Sequence, residues 1–274
     1  MKFLKRLLSN KLAVLGIFFI LIFLLASLFA PLIATQDYSE MDLYNVLALP
    51  SAEHLMGTDE MGRDIFSGII YGARTSVLIG VSVLLFGGLV GTAIGILAGF
   101  FEGKLDMVLM RIIDTLMAFP SILLAMFMIA IIGTGLKGAI VAVSIATVPR
   151  FARIVRSSVL KTKKNEYVDA CRVLGQSNMK ILFRHILPNG MAPIIVQATL
   201  TFSEAILIIS GLGFLGLGAD PMSAEWGAML SNARAYLMTK PHIAIFPGIA
   251  IAITVLGFNL LGDGLRDTLD VKEY

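Results

Sequence analysis

Charged side chains are scarce in this sequence. Only 15% of its 274 residues are Asp, Glu, Lys or Arg, whereas a soluble domain carries roughly 25%. Hydrophobic residues make up 57% of the chain, and the mean hydropathy is +0.86. This balance excludes an ordinary soluble protein and indicates an integral membrane protein.

Two further absences narrow the chemistry. Cys171 is the only cysteine, which excludes an intramolecular disulfide and a cysteine-based metal cluster. The phosphate-binding pattern G-x-x-x-x-G-K-[ST] does not occur, so ATP could supply energy only through another polypeptide. The pI is near 9.0. Basic residues in a membrane protein usually set its topology, and we expect no nucleic-acid partner.

Long uncharged runs are what the sequence does contain. Residues 12–34 form the first. It exceeds the roughly 7–15 residues of a signal-peptide core and is long enough to cross a ~30 Å bilayer core, so we interpret it as a retained helix. Five more spans are predicted, at residues 75–101, 115–136, 138–149, 191–219 and 243–262. The fourth is short unless it continues through Arg150 and Arg153. All should be helices, because lipid cannot satisfy backbone polar groups.

Lysine and arginine positions indicate the orientation. With the N-terminus inside and six spans, 17 of the 22 basic residues lie inside and 5 outside. The positive-inside rule therefore predicts cytosolic N- and C-termini. We expect an all-α integral membrane protein with a first helix, an external segment and an interfacial helix (63–74) within residues 1–74. A transmembrane domain (75–264) with a cytosolic loop (159–190) and a cytosolic tail (265–274) would follow.

Glycine recurs along the second predicted span at every fourth residue: Gly87, Gly91, Gly95 and Gly99. On a helix these glycines share one face. Such a face lets two backbones approach closely, which matters where lipid provides no hydrophobic drive between helices. We predict helix packing for it and no transport chemistry. Four more glycines between residues 211 and 218 predict a break near the outer side.

The longest predicted cytosolic loop, residues 159–190, has the pattern of a helix, a glycine turn and a second helix. One helical stripe is formed by Tyr167, Ala170, Cys171 and Leu174. Gly175 is suited to end that helix, and the second helix should stop before Pro188. The small residues Ala170 and Cys171 would let another surface come close. We therefore predict a docking module for a separate protein.

The same loop resembles a known motif. Asp169-Ala170-Cys171, three further residues, Gly175 and then His185-Ile186-Leu187-Pro188 resemble the EAA loop of bacterial ABC importer permeases, whose pattern is Glu-Ala-Ala, Gly and Ile-x-Leu-Pro. Three positions depart from it, namely Asp169, Cys171 and His185. Residues 57–66, 214–218 and 258–267 resemble the C-type permease of the dipeptide, oligopeptide and nickel importer family. The resemblance therefore extends over nearly the whole chain.

The resemblance implies a type I ABC importer permease, a multi-pass protein of the bacterial or archaeal cytoplasmic membrane that forms half of a translocation pore. The implied partners are a homologous second permease, two cytosolic ATPase subunits and an extracytoplasmic substrate-binding protein. ATP and Mg²⁺ would bind the ATPases, and this chain would hold no cofactor and catalyse no reaction. The implied ATPase-coupling residues are Glu166, Tyr167, Asp169, Ala170, Cys171 and Gly175.

Several alternatives stay open at this stage. The expected cargo is a di- or oligopeptide, and nickel or a metal chelate is the alternative within the family. From other classes, an ion-gradient-driven secondary transporter would show inverted repeats and usually more spans, and a membrane scaffold would not explain the loop. The three histidines, His54, His185 and His242, show no metal-ligand spacing, and no metal site is predicted.

Glu204 is the only acidic residue well inside a predicted span. Ionisable groups at such depth are candidates for function. Glu204 would either contact a substrate amine or cation, or pair with a neighbouring helix. Two external features are also open. Residues 57–64 are predicted to form a structural turn, and Trp226 an interfacial anchor or a substrate contact.

Overall fold

Helices make up nearly all of the regular structure. The computed structural model describes residues 2–269, where the only β pairing is an isolated bridge between Thr58 and Asp64. The helices are α1 (Lys2–Ser9), α2 (Lys11–Leu28), α3 (Ala30–Ile33), α4 (Ile65–Val83), α5 (Leu89–Phe101), α6 (Gly103–Met117), α7 (Ser121–Ile132), α8 (Leu136–Lys163), α9 (Glu166–Val173), α10 (Asn178–Ile181), α11 (Leu187–Asn189), α12 (Met191–Phe214), α13 (Trp226–Ala233) and α14 (His242–Leu269). Two π-helical turns, Leu84–Gly88 and Leu182–Ile186, and a 3₁₀ turn, Arg234–Tyr236, complete them.

Five of these helices are long and apolar enough to cross a membrane: α2, the continuous α4–α5, α8, α12 and α14. A sixth crossing is formed if α6 and α7, which meet at an angle of 94°, are taken as one broken span. The break falls just before Pro120, which directly precedes α7. The predicted all-helical membrane fold is therefore confirmed, with five candidate spans, or six if the broken pair counts as one.

The helix that contains the second span is longer than predicted. It runs from Ile65 to Phe101, 37 residues, or about 55 Å at 1.5 Å per residue, against a membrane core of about 30 Å. The Asp64 side chain caps its start, accepting a hydrogen bond from the Ser67 N–H at 2.8 Å. The separate interfacial helix predicted at residues 63–74 was wrong. Residues 65–74 are the first turns of α4, which continues to Val83. Their glycines face the external segments, Gly68 against Tyr38 and Gly72 against Trp226.

The glycine face of α5 lies against α8. A Cβ atom added at any of these glycines would lie 2.5–2.9 Å from a backbone carbonyl oxygen of α8. The four pairs are Gly87 with Ser144, Gly91 with Val148, Gly95 with Ala152, and Gly99 with Arg156. The glycines and the carbonyl groups that they face both recur every four residues. The two backbones therefore touch over four successive turns, at distances that no larger residue allows.

The fourth and fifth spans end as their sequences suggest. α8 continues through Pro149, Arg150 and Arg153 to Lys163, as required for a span. α12 stops at Phe214, where Gly216 adopts φ +79°. The Leu217 N–H then donates to the Leu212 carbonyl at 2.9 Å, which is the Schellman ending of a helix. This confirms the predicted break, although the helix ends five residues earlier than the predicted span.

Aromatic side chains join three of the spans near the middle of α12 and α14. The rings of Phe202 on α12 and Phe258 on α14 stack with centroids 4.2 Å apart, and Phe23 on α2 meets both edge-on. At the opposite end of α2, Asn10 Nδ2 lies 3.4 Å from Asp267 Oδ2 near the end of α14. The two ends of the described chain thus lie on the same side of the bundle, as an even number of crossings requires.

We expect Gly95→Ala to destabilise the protein by about 1–3 kcal/mol, because the methyl group must push apart the contact between α5 and α8. The thermal unfolding midpoint of purified protein measures this effect. Gly248→Ala on α14 is the matched control. A Cβ atom there meets nothing within 4 Å, so the change should only raise helix propensity and stabilise the protein by at most about 1 kcal/mol. Equal midpoints for the two variants would contradict the close-contact interpretation.

Candidate functional site

The loop between α8 and α12 begins with the predicted helix and glycine turn. α9 covers Glu166–Val173. Gly175 has φ +74°, its N–H donates to the Arg172 carbonyl at 2.9 Å, and the Gln176 N–H donates to the Cys171 carbonyl at 3.1 Å. This is a second Schellman ending, and it requires the left-handed conformation that glycine adopts without strain.

The second helix of the loop does not stop before Pro188, so that prediction was wrong. Helical backbone continues through α10, the π turn Leu182–Ile186 and α11 to Asn189. In the π turn the Leu187 N–H reaches back to the Leu182 carbonyl, which interrupts the regular i→i−4 ladder just before Pro188. A residue without an N–H is tolerated where that ladder is already interrupted.

One face of the loop is anchored in the membrane bundle. Val168 on α9 is fully buried, and Ile181, Leu182 and Ile186 are nearly so. They pack in one cluster with residues of α5, α8 and α12: Phe100, Phe151, Val155, Val159 and Ile194. Cys171 is half-buried against the same cluster. The loop is therefore a firmly held extension of the spans.

The opposite face of the loop is apolar and exposed. Val173 is 88% exposed and Leu174 77%. Tyr167 and Ala170 lie on the same side and are exposed as well. Of the predicted stripe, only Cys171 turns partly inward. A patch of large apolar side chains beside water is typical of a surface that another protein covers.

Acidic side chains border this exposed face. Glu166 and Asp169 lie in the first turn of α9. Asp169 Oδ1 is 2.6 Å from Arg172 Nη1, and both side chains are exposed. An exposed pair one turn apart contributes little to stability. Asp169 can therefore exchange Arg172 for a cation on another protein.

Further toward the membrane centre, α8 carries a row of cations paired with acids on other segments. Three of the pairs are to α6 or the residue before it: Lys163 Nζ to Glu102 Oε1 at 2.6 Å, Arg156 Nε to Asp106 Oδ1 at 2.6 Å, and Arg153 to Asp114. Arg150 pairs instead with Glu204 of α12. The sequence did not predict these partners. Its one signal was the three-residue spacing of Arg150, Arg153 and Arg156.

The Arg150–Glu204 pair lines a cavity of about 180 Å³ beside the break between α6 and α7. Three hydroxyl-bearing residues, Ser121, Thr147 and Thr201, also line it, and its remaining walls are mostly apolar. Arg150 is 49% exposed and Glu204 33%. Glu204 is thus paired with a neighbouring helix while it faces an open space. A charge near the middle of a membrane helix costs about 2.5–3.5 kcal/mol, so such a pair is rarely kept without a use.

Two family models match the sequence. The model described as "Binding-protein-dependent transport system inner membrane component" matches residues 91–272, about two thirds of the chain. The model described as "N-terminal TM domain of oligopeptide transport permease C" matches residues 2–50.

The chain belongs to the binding-protein-dependent transport permeases. It is a multi-pass component of the bacterial inner membrane and a transport subunit of an ABC importer. The family predicted from the loop motif is confirmed. Membership in this family excludes the two alternative classes, an ion-gradient-driven secondary transporter and a membrane scaffold. The domain boundaries at residues 74 and 264 stay predictions.

Curated relatives match over almost their whole length. The dipeptide transport system permease protein DppC of Alkalihalophilus pseudofirmus is 48% identical, over 98% of this permease and 88% of the relative. The glutathione transport system permease protein GsiD of Pectobacterium atrosepticum is 44% identical (99% and 90%). The di/tripeptide transport system permease protein DppC of Pseudomonas aeruginosa is 44% identical (96% and 89%).

A solved structure supports the fold. An inward-facing conformation of the MetNI methionine ABC transporter superposes with a TM-score of 0.63 at 19% identity, and it covers 76% of this permease and 98% of that chain. At this identity the likeness shows the fold alone. The helical arrangement described above is thus that of an ABC importer permease.

Outside the spans, the permease has a second ordered region built around Arg63. This side chain is only 2% exposed. Its Nε lies 2.7 Å from Asp59 Oδ2, its Nη1 donates to the Met222 carbonyl at 3.1 Å, and its guanidinium stacks over the Tyr38 ring at 4.8 Å. Arg63 therefore joins the external segment before α4 to the one after α12. The predicted turn at residues 57–64 does have this structural role.

Trp226 is not an interfacial anchor, and that prediction was wrong. Its ring is 2% exposed and lies against Gly72 of α4, and its Nε1–H donates to the Ile69 carbonyl at 3.1 Å. The neighbouring Glu225 is fully buried and caps α13 through the N–H groups of Gly227 and Ala228. Burial raises the pKa of Glu225 above its usual value.

Each of the three histidines of the permease has its own hydrogen-bond partner. His54 Nδ1 lies 3.1 Å from Asp64 Oδ1, His185 Nε2 lies 3.0 Å from Gln176 Oε1, and His242 Nε2 lies 3.2 Å from the Ala48 carbonyl oxygen. Within residues 2–269, no three metal-binding side chains come together.

We expect Arg63→Met to lower the free energy of unfolding by about 3–5 kcal/mol, because Asp59 would remain buried without its partner. The thermal midpoint and the rate of proteolysis within residues 35–64 measure this loss. Arg74→Met is the matched control, since Arg74 lies exposed on α4 and should change stability by no more than about 0.5 kcal/mol. An unchanged midpoint in Arg63→Met would contradict the role given to Arg63.

Proposed function

We propose that this permease forms half of the pore of an ATP-driven importer of di- or oligopeptides and receives its driving force through α9. The permease family supports the first part. The relatives, which include dipeptide, di/tripeptide and glutathione transport permeases, support the substrate class. The observation that carries the coupling role is that the loop has two different faces. One is apolar and exposed, and the other is buried in the cluster that joins the loop to the membrane helices.

Docking would use the exposed face of α9. Tyr167, Val173 and Leu174 offer apolar area to a cleft on the partner, and Ala170 lets the partner's surface approach the helix closely. Glu166 and Asp169 supply negative charge at the rim, where they suit basic groups on the partner. Gly175 fixes where the helix ends and thereby how α9 is presented.

Force would pass from α9 to the spans through its buried face. Val168 and Cys171 pack in the same cluster as Phe151 and Val155 of α8. A close-packed cluster transmits displacement because it has little free volume. A movement of the docked partner would thus move α8, and with it α5 through the glycine contact.

The partners follow from this role. Two cytosolic ATPase subunits would bind ATP and Mg²⁺, a homologous second permease would complete the pore, and an extracytoplasmic substrate-binding protein would deliver the cargo. The family description itself supports a dependence on a binding protein. Peptides are favoured over nickel because the names of the relatives refer to peptides, and because no three metal-binding side chains come together within residues 2–269.

We expect Leu174→Asp to abolish co-purification of the ATPase subunits and ATP-driven peptide uptake, because a charge would enter the apolar contact. Its fold should be unaffected, since Leu174 is 77% exposed. Leu43→Asp is the matched control, a leucine that is 74% exposed in the external segment, and it should keep the ATPase bound. Co-purification of the ATPase with Leu174→Asp at the wild-type level would contradict docking at this face.

The double variant Gly175→Arg with Asp169→Lys tests the turn and the charge together. At φ +74° a side chain at position 175 is strained, and the lysine repels basic groups on the partner. We expect the protein to reach the membrane in normal amounts while ATP hydrolysis no longer drives uptake. Uptake at the wild-type rate would show that the loop does not couple.

A further inference from the structure

The Arg150–Glu204 pair differs from the other ion pairs of α8 in where it lies. Glu204 is the one charged residue of α12, and it lies near the middle of that helix. Arg150 lies near the middle of α8, which has no acidic residue of its own. The pair therefore places one positive and one negative group side by side, near the middle of two different helices.

The surroundings of this pair are those of a small binding site. The cavity of about 180 Å³ has apolar walls, three hydroxyl-bearing residues and these two opposite charges. It is below the ~300 Å³ of a pocket that encloses a drug-sized ligand. Space of this size suits the charged ends of a short peptide in transit rather than tight enclosure of a long one.

We propose that this cavity is a transit site for zwitterionic peptides, in which Arg150 takes the carboxylate and Glu204 takes the ammonium group. This inference rests on the proposed function of peptide import. The guanidinium plane matches a carboxylate with two parallel hydrogen bonds, and Glu204 accepts from an ammonium group. The peptide carboxylate thus replaces Glu204 as the partner of Arg150, and the peptide ammonium group replaces Arg150 as the partner of Glu204.

The exposure of the pair makes such an exchange feasible. Arg150 is 49% exposed and Glu204 33%, so both are within reach of a solute in the cavity. The Arg156–Asp106 pair is the contrast: it is bidentate, both contacts are 2.6 Å, its side chains are 31% and 17% exposed, and it lies outside the cavity. That pair holds α6 to α8. When no peptide is present, Arg150 and Glu204 satisfy each other and leave no unpaired charge in the span.

Protection of a cysteine in the cavity tests this site. In a Cys171→Ala background, which has no other cysteine, Ser121→Cys is placed in the wall of the cavity. The assembled importer, without ATP, is treated with a maleimide in the presence of L-alanyl-L-alanine or of the same dipeptide with an acetylated N-terminus and an amidated C-terminus. We expect the free dipeptide, in excess over its Kd, to slow modification about threefold or more and the blocked dipeptide to have no effect.

Matched controls decide the interpretation. Ser157→Cys, which lies exposed on α8 and outside the cavity, should be modified at the same rate with either peptide. Arg150→Gln combined with Glu204→Gln keeps a hydrogen bond but removes both charges, so protection at Ser121→Cys should disappear. Equal protection by the two peptides would overturn the proposal, and so would protection that persists in the double variant. If that variant fails to assemble, the comparison of the two peptides and the two cysteines in the otherwise unchanged chain remains decisive.

The outcome is separable from that of the proposed function. ATP-driven uptake is measured with the unchanged chain in proteoliposomes that contain the binding protein and the ATPases. Absence of uptake there would refute peptide import whatever the cysteines show. Uptake without selective protection would refute the transit site alone.

Discussion

Backbone contact between α5 and α8 is the constraint on which the other features depend. Lipid gives helices no hydrophobic reason to associate, so these two are held by close approach over four turns, glycine against carbonyl. That contact fixes α8 in place. α8 in turn carries the cations that position α6 and meet α12, and its inner end carries the cluster that seats the loop. A single methyl group on α5 would therefore disturb the docking surface and the cavity as well as a pair of helices.

The ion pairs of the protein have different roles. The ion pairs between α8 and α6 lie toward the inner side and connect the polar helix α6 to α8. The one between α8 and α12 faces open space. Outside the membrane, Arg63 and Asp59 are buried and join two external segments. The same chemistry thus supports three roles. What separates them is the surroundings of each pair, since Arg153–Asp114 is at least as exposed as Arg150–Glu204 but does not line the cavity.

Local patterns predicted most of what was found. Uncharged runs gave the spans because hydropathy is a property of each segment by itself, and the helix–glycine–helix loop followed from spacing within 25 residues. The glycines of the second span revealed their face but not their partner, since a period shows which residues align and not what they touch. The ion pairs were missed for the same reason. Arg150 and Glu204 are 54 positions apart, and neither segment contains a local pattern that indicates its partner. Trp226 and the start of α4 were misjudged because the external segments fold onto each other, which hydropathy does not register.

The length of the α4–α5 helix has a mechanical consequence. At its outer end it is packed into the region that holds Trp226 and Arg63, and at its inner end Phe100 belongs to the cluster beneath the docking loop. One rod of 37 residues thus spans the protein from one aqueous side to the other. Helical backbone continues through the π turn Leu84–Gly88 near its middle, so one hydrogen-bonded element joins the outer and the inner surface. A displacement of this helix on one side of the membrane is therefore felt on the other side without passing through a separate part of the protein.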